Sequence, residues 1–244
     1  MSIQPGRIRQ IALSVSSTPT ALKALHFFRI TAFGHGYMIR FDNVTIRFND
    51  KVVIRDFSLD INKGDKIVIR GKSGIGKSTL FRLILGFAKP EKGSVLFEEK
   101  KLDKQTVWDV RKKIAYVSQD LDIAEGTVRS IIEQTFEFKH NEHLRPGLSD
   151  IQRLFDLFEL DRSILDKEYS ELSGGEKQRV AIVVSILLKR DIFLLDESTS
   201  ALDDKLSIKV IDYFLNKTEW TVVAISHGVE WERNNAKVIS LEEA

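Results

Sequence analysis

The residues with the clearest chemical potential form a glycine-rich segment in the first third of the chain. It has the spacing Gly, four residues, Gly-Lys-Ser, which defines a phosphate-binding loop. The glycines let successive backbone N–H groups turn towards one anion, Lys77 can reach the β- and γ-phosphates, and the Ser78 hydroxyl can bind Mg²⁺. The alternative is a glycine turn with an exposed lysine. The spacing favours a site for a nucleoside triphosphate made of these residues: Gly71, Lys72, Ser73, Gly74, Ile75, Gly76, Lys77, Ser78 and Thr79.

Two acids and a histidine follow apolar runs later in the chain. Asp196 and Glu197 end the run Ile192–Leu195, and His227 comes just after Val222–Ile225. Phosphoryl transfer from a Mg²⁺-bound nucleotide needs one acid near the metal and one group that positions or activates water. Asp196 suits the first task and Glu197 the second, while His227 suits a contact with the γ-phosphate. The alternatives are ordinary acids at a strand end and a structural histidine.

A second candidate phosphate contact lies at the start of a strongly apolar helix. Ser173 is a candidate N-cap, Gly174 and Gly175 free the backbone, and Glu176 stands in the capping-box position. Alone, these residues indicate only a capped helix. In a chain that already has a phosphate-binding loop, a second exposed helix N-terminus indicates a second phosphate contact.

The elements that must position these groups are short apolar runs without polar alternation. Such runs are typical of strands that are covered on both faces, and therefore of a parallel sheet with flanking helices. Each run ends within three residues of Gly71, Gln119, Asp196-Glu197 or His227. Ligands in open α/β sheets bind beyond the carboxyl ends of the strands, so we expect these groups to meet at one edge. The four runs are Ile67–Ile69, Ile114–Val117, Ile192–Leu195 and Val222–Ile225.

The rest of the chain adds two further regions to this α/β core. Alternating apolar residues between Phe41 and Ile61 predict strands joined by a turn, which form an N-terminal antiparallel β subdomain. Residues 119–172 predict a helical insertion, with helices at Thr127–Phe136 and Ser149–Leu160. His140 and His143 in its loop have a spacing that could suit a metal, but a solvated loop is the simpler interpretation.

Composition excludes several classes of protein. The 244 residues include 37 basic and 35 acidic side chains, so no global field recruits nucleic acid. The absence of cysteine excludes disulfides and thiolate metal sites. The longest apolar run, Val180–Leu188, is far shorter than the ~20 residues of a membrane span. Residues 1–37 contain four basic residues and no acid. Three interpretations of this segment remain open: an extension without function, a targeting or membrane-surface segment, or an ordered helix through Leu22–Phe28.

Together these motifs resemble the ATP-binding subunits of ABC (ATP-binding cassette) transporters. The resemblance covers about residue 38 to the C-terminus and implies a P-loop NTPase fold with a RecA-like, mostly parallel sheet. It implies that Gln119 contacts Mg²⁺ together with Ser78 and Asp196, and that Phe48 stacks on adenine, for which a core aromatic is the alternative. It further implies that a signature sequence acts on the other subunit's γ-phosphate and that a loop links two sites. These two segments are Ser173, Gly174, Gly175 and Glu176, and Ser200, Ala201, Leu202 and Asp203.

The same resemblance implies how the protein works. Two subunits, identical or closely related, would bind two ATP molecules head to tail, each between one subunit's phosphate-binding loop and the partner's signature. ATP would favour the closed pair and hydrolysis would release it. We expect an ATPase that drives a separate integral-membrane permease from the cytoplasmic face of the membrane. The expected docking groove follows Gln119 and uses these apolar residues: Leu121, Ile123, Phe136 and Phe138.

Two departures from the family pattern, one narrower resemblance and two functional alternatives complete the prediction. Glu176 stands where many members have glutamine, and Ser198 where many have proline. The compact chain is similar to small bacterial subunits assigned to iron export. One alternative is a non-transport ATPase of the same superfamily, such as a cofactor-cluster assembly ATPase. Another is a nucleotide-binding module without turnover, against which Glu197 argues.

Overall fold

A four-stranded antiparallel sheet forms the first layer of the protein. The computed structural model describes residues 37–48, 51–121 and 125–241. Within these ranges the strands of this sheet follow the order β2-β1-β4-β5. Their bounds are β1 Ile39–Phe48, β2 Lys51–Ile61, β4 Lys92–Phe97 and β5 Lys100–Lys101. The pairing of β1 with β2 confirms the predicted antiparallel β region.

A five-stranded parallel sheet forms the second layer and carries the candidate site. Its strands follow the order β6-β7-β8-β3-β9, and all four pairings are parallel. The four apolar runs of the sequence supply four of these strands, as predicted. The fifth strand, β9, was not predicted, because it is half polar and largely exposed. The bounds are β3 Lys66–Arg70, β6 Ile114–Val117, β7 Ile192–Asp196, β8 Thr221–Ile225 and β9 Lys237–Ser240.

Alternate side chains of the parallel strands point into two separate apolar cores. Ile192 and Leu194 of β7 pack with the antiparallel sheet and the first helices. Phe193 and Leu195 pack on the opposite face with the helices of the second half of the chain. Because both faces are covered, every residue of β7 is buried, which explains why its sequence lacks polar alternation. The architecture therefore confirms the predicted α/β class.

Six helices lie in the described ranges, connected in part by short 3₁₀ turns. They are α1 Lys77–Ile84, α2 Val107–Lys113, α3 Val128–Glu137, α4 Leu148–Leu157, α5 Gly174–Leu187 and α6 Asp204–Leu215. The two helices predicted between residues 119 and 172 are α3 and α4, with bounds within three residues of those expected. Thr127 caps α3 by accepting a hydrogen bond from the Ser130 amide. Among the described residues, none of these helices is long and apolar enough to cross a membrane.

The described structure begins at the end of the predicted N-terminal extension. Residues 1–36, including the alternative helix at Leu22–Phe28, lie outside the described residues. The described chain begins at Tyr37, whose ring lies 3.7 Å from the guanidinium carbon of Arg40. The division into an extension and one ATP-binding domain with a helical subdomain stays a prediction.

Candidate nucleotide-binding and hydrolysis site

The phosphate-binding loop connects the end of β3 to the start of α1. Gly71, Gly74 and Gly76 have φ angles of 149°, 77° and 103°, a region that side chains other than glycine's rarely allow. At Gly76 an added Cβ would lie 2.7 Å from a Val53 methyl carbon. Strand β2 therefore packs directly against the loop, and both backbone conformation and space require glycine at this position.

Lys77 is the first residue of α1, and its ammonium group is turned back into the loop. The residue is only 6% exposed. Its Nζ donates hydrogen bonds to the carbonyl oxygens of Gly71 at 2.9 Å and Lys72 at 3.0 Å. The same Nζ lies 3.5 Å from Nε2 of His227. The loop thus holds a buried cation beside its own concave surface, where it can meet a phosphate.

Glu197 lies between two polar groups from different strand ends. The Nε2 amide of Gln119, beyond β6, donates to Glu197 Oε2 at 2.9 Å. Nε2 of His227, beyond β8, lies 3.3 Å from Glu197 Oε1. The Glu197 side chain is 20% exposed, whereas that of His227 is 54% exposed. The parallel sheet has therefore brought together Lys77, Gln119, Glu197 and His227 at the edge where sequence reasoning expected them.

Asp196 has the environment of a cation ligand. It is 2% exposed, and its Oδ1 atom finds no hydrogen-bond partner among the described residues. Burial raises the pKa of this carboxyl group, and the neighbouring Glu197 charge adds to the effect. A hydrogen bond with Ser78 acts in the opposite direction. A buried carboxylate with a free oxygen beside a hydroxyl fits Mg²⁺, which prefers oxygen ligands.

The signature segment forms the capped start of α5. Ser173 Oγ accepts from the Glu176 amide at 3.3 Å, and the Ser173 amide donates to Glu176 Oε2 at 2.8 Å. This is the capping box expected from the sequence. The Ser173 hydroxyl also donates to the same carboxylate oxygen at 2.8 Å. These hydrogen bonds lower the pKa of Glu176, so a negative charge lies beside the glycines Gly174 and Gly175.

The predicted inter-site loop, residues 200–203, packs closely on this helix start. A Cβ added at Gly175 would lie 2.9 Å from the Ala201 carbonyl oxygen. Asp203 caps α6 by accepting from the Leu206 amide at 2.9 Å. Gln178 hydrogen-bonds to this loop and to Glu197, and sequence reasoning missed it. Gln178 stands between the basic residues Lys177 and Arg179, so no local pattern marked it as a buried side chain.

Other predicted contacts have different outcomes. The Phe48 side chain and all of Ile123 lie outside the described part of the structure, so their roles stay predictions. Phe136 is completely buried. The prediction that it lines a docking groove is therefore wrong, because its ring packs in the core on the buried side of α3. Phe138 is 69% exposed. His140 and the nearby His143 face each other at 6.2 Å between ring centroids, but no group of three or more metal-binding side chains occurs in the described ranges.

The chain is similar to known proteins over most of its length. Residues 54–200, more than half of the chain, match the family described as ABC transporter. The energy-coupling factor transporter ATP-binding protein EcfA1 of Ligilactobacillus salivarius is 32% identical over 215 residues, covering 85% of this chain and 76% of that protein. The Fe(3+) ions import ATP-binding protein FbpC of Fusobacterium nucleatum is 32% identical over 198 residues, covering 79% of this chain and 52% of that protein.

Solved structures agree with this assignment. The dimeric structure of MJ0796, a bacterial ABC transporter cassette, superposes with a TM-score of 0.72 at 28% identity, covering 84% of this chain and 94% of that one. The same cassette bound to ADP and phosphate in a post-hydrolysis state gives a TM-score of 0.72 at 27% identity. These likenesses confirm the P-loop NTPase fold of the ABC ATPase type.

Proposed function

Because this chain belongs to the ABC transporter family as an ATP-binding subunit with ATPase activity, we propose that it powers a separate membrane permease by ATP-driven pairing of two subunits. The observation that carries the proposal is the cluster of Lys77, Gln119, Glu197 and His227. These four side chains come from four separate segments, and each lies within 3.5 Å of another member. Such a cluster combines a cation, an acid and two orienting groups, which phosphoryl transfer requires.

Each residue has a distinct task in this proposal. The loop amides and Lys77 bind the β- and γ-phosphates, for which Lys77 exchanges its carbonyl partners for phosphate oxygens. Glu197 orients the attacking water and accepts its proton, while Gln119 and His227 hold the two carboxylate oxygens. The exposed His227 ring can then turn to the γ-phosphate. The adenine base stacks on Phe48.

A divalent cation completes the charge balance of the site. Bound Mg²⁺ would supply electrostatic stabilisation of the charge that develops on the phosphate oxygens. Ser78, Gln119 and Asp196 would hold it. The unpartnered Asp196 Oδ1 supports this set, since a buried acceptor without a partner is costly unless a ligand uses it.

A second subunit supplies the remaining wall of the nucleotide site in this proposal. We propose that the segment Ser173–Glu176 of one subunit contacts the γ-phosphate bound to its partner, with residues 200–203 beside it. The capped start of α5 offers backbone N–H groups to that phosphate. The dimeric cassette described above supports this arrangement, and the partner is a second copy or a close relative.

Protein concentration provides the test of this arrangement. Initial ATPase rates would be measured over about two decades of subunit concentration, with the oligomeric state followed by light scattering. Activity per subunit should rise with concentration wherever monomers predominate. A rate per subunit that stays constant while the protein is monomeric would refute the two-subunit site.

In place of the groove expected after Gln119, we propose that the permease docks on an exposed patch formed by the rings of Phe87 and Trp108 around Arg111. Phe87 is 58% exposed and Trp108 62% exposed. The Arg111 guanidinium carbon lies 4.3 Å from the first ring centroid and 4.9 Å from the second. The patch lies just after α1 and on α2, the elements that follow the phosphate-binding loop and precede β6 and Gln119. Contact with the permease at this patch can therefore influence both the phosphate-binding loop and Gln119.

Purification of the transporter complex tests the docking site. Substitution of Phe87 and Trp108 by alanine should abolish recovery of an integral-membrane partner from detergent extracts, while ATPase activity of the isolated subunit persists. Val238→Ala, at another partly exposed apolar position, is the matched control. Full recovery of the permease with the double variant would exclude this patch.

The permease selects the transported substrate, but a direction of transport can be proposed for the complex. We propose import or energy coupling, because the reported relatives are named for an energy-coupling factor transporter and for Fe(3+) import. The iron-export resemblance has no support among them. The subunit would lie at the cytoplasmic face, held there by the permease.

A further inference from the structure

Gln178 is a buried amide whose side-chain hydrogen bonds all go to the single loop that follows β7. It lies in the second turn of α5 and is only 3% exposed. Its Nε2 donates to the Glu197 carbonyl oxygen at 2.9 Å and to Ser200 Oγ at 3.1 Å. Its Oε1 accepts from the Ala201 amide at 3.0 Å. Two donors and one acceptor at these positions match glutamine and no other side chain of its length.

The backbone that Gln178 holds is unusual. Glu197 has a φ angle of 49°, in the left-handed region, which L residues other than glycine adopt only at a cost. Its amide donates to the Ile225 carbonyl oxygen at 3.0 Å, and its carbonyl accepts from Gln178. The peptide groups on both sides of the Glu197 side chain are therefore fixed, which aims the carboxylate at Gln119 and His227.

The helix that carries Gln178 also carries the signature segment. Gln178 lies two residues beyond the capping residue Glu176, and Ala201 packs against Gly174 and Gly175 at the same helix start. A helix is stiff over such a distance. Any displacement of its first turn by a nucleotide on the partner subunit must therefore move the Gln178 amide, and with it the Glu197 backbone.

We propose that Gln178 is a positioning residue that couples the partner-facing start of α5 to the Glu197 carboxylate of its own subunit. Closure of one composite site would thereby align the water-activating acid of the other. The inference rests on the proposed function, since it requires that Ser173–Glu176 contact the partner's nucleotide. It assigns Gln178 to the hydrolysis step and leaves nucleotide binding to the phosphate loop.

The test compares Gln178→Met with Gln178→Glu. Methionine has a similar length but makes none of the three hydrogen bonds. It should lower kcat by about 10- to 100-fold, the range expected when a reacting group is displaced by up to an ångström. KM for ATP should change less than about twofold, since the loop contacts are intact. Gln134→Met, at an exposed position of α3, is the matched control and should leave both constants unchanged.

A pH profile separates positioning from a general structural role. In Gln178→Glu the Oε1 acceptor for Ala201 remains, but ionised glutamate has no donor for the Glu197 carbonyl. Burial raises the pKa of such a glutamate, and its protonated form regains one donor. Relative to wild type at each pH, its kcat should therefore recover as the pH falls from about 8 to 6. The kcat of Gln178→Met should not.

The outcomes distinguish this inference from the proposed function. If the wild-type protein hydrolyses ATP without concentration dependence, the two-subunit function fails first. If the wild type behaves as proposed but Gln178→Met retains its kcat, or loses ATP affinity instead, only the coupling role of Gln178 is wrong. Should Gln178→Met fail to fold, the relative recovery of Gln178→Glu at low pH decides, and its absence would overturn the inference.

Discussion

The buried acid Asp196 provides a prediction in which stability and function change in opposite directions. The residue is 2% exposed, burial raises its pKa, and its Oδ1 atom has no partner in the described structure. A buried polar atom without a partner costs about 1–3 kcal/mol. Asparagine has almost the same shape and no charge, although its amide also lacks a complete set of partners. We therefore expect Asp196→Asn to stabilise the nucleotide-free protein by about 1 kcal/mol, which raises Tm by about 2–4 °C for a chain of this size.

The sign of the effect depends on pH. Below the pKa of an unfolded aspartate, about 3.9, the carboxyl group is neutral in both states and the variant should match the wild type. As the pH rises, the unfolded state ionises first because the folded pKa is higher. The wild type therefore loses stability relative to the variant until the pH exceeds the folded pKa, and the difference in Tm then stays constant.

Thermal unfolding between pH 4 and 8 measures both effects. In EDTA the variant should unfold at a higher temperature than the wild type near neutral pH. With MgATP at about 100 times Kd, ligand binding adds about 2.7 kcal/mol to the wild type. The variant should lose most of this gain and all measurable turnover. Asp191→Asn, just before the same strand and exposed, is the control. A lower Tm for Asp196→Asn in EDTA at neutral pH would refute the reasoning.

Three further predictions follow from the same geometry. Glu197→Gln should lower turnover by about 10²-fold or more, because the general base is lost, yet the variant should still form an ATP-dependent dimer. Glu230→Gln is its control. If Glu197→Gln hydrolysed ATP at the wild-type rate, Glu197 would not be the general base. Gly76→Ala should abolish ATP binding in a fluorescence titration, because its φ is 103° and the added methyl meets Val53, whereas Gly147→Ala should bind normally. Glu176→Ala should lower the free energy of unfolding by less than about 1 kcal/mol, because the capping box is lost but solvent screens this carboxylate, and Tm should fall by up to about 2–4 °C. Because hydrogen bonds lower the pKa of Glu176, the stability that this residue adds is present above its unfolded pKa and disappears as the pH falls through the folded pKa. Equal Tm values for this variant and the wild type at pH 7 would contradict the cap.

The sequence alone determined the fold class and the chemical character of the site. The spacing from Gly71 to Ser78 and the four apolar runs are local signals, since a phosphate nest and a doubly covered strand each impose their pattern on consecutive residues. The rule that parallel strands deliver their carboxyl ends to one edge then predicted which groups meet. The close approach of His227 to both Lys77 and Glu197 agrees with it.

Only the tertiary structure decided the contacts between residues that are distant in the chain. The burial of Phe136 depends on how α3 packs, so no local pattern separated it from the exposed Phe138. Strand β9 forms because it pairs with β3 in parallel, whereas its own composition does not predict a strand. The three hydrogen bonds of Gln178 form only when α5 and the loop after β7 lie at the right separation, because a hydrogen bond tolerates a change of only a few tenths of an ångström in donor–acceptor distance. Sequence patterns specify which face an element buries, but packing in three dimensions sets which atoms meet.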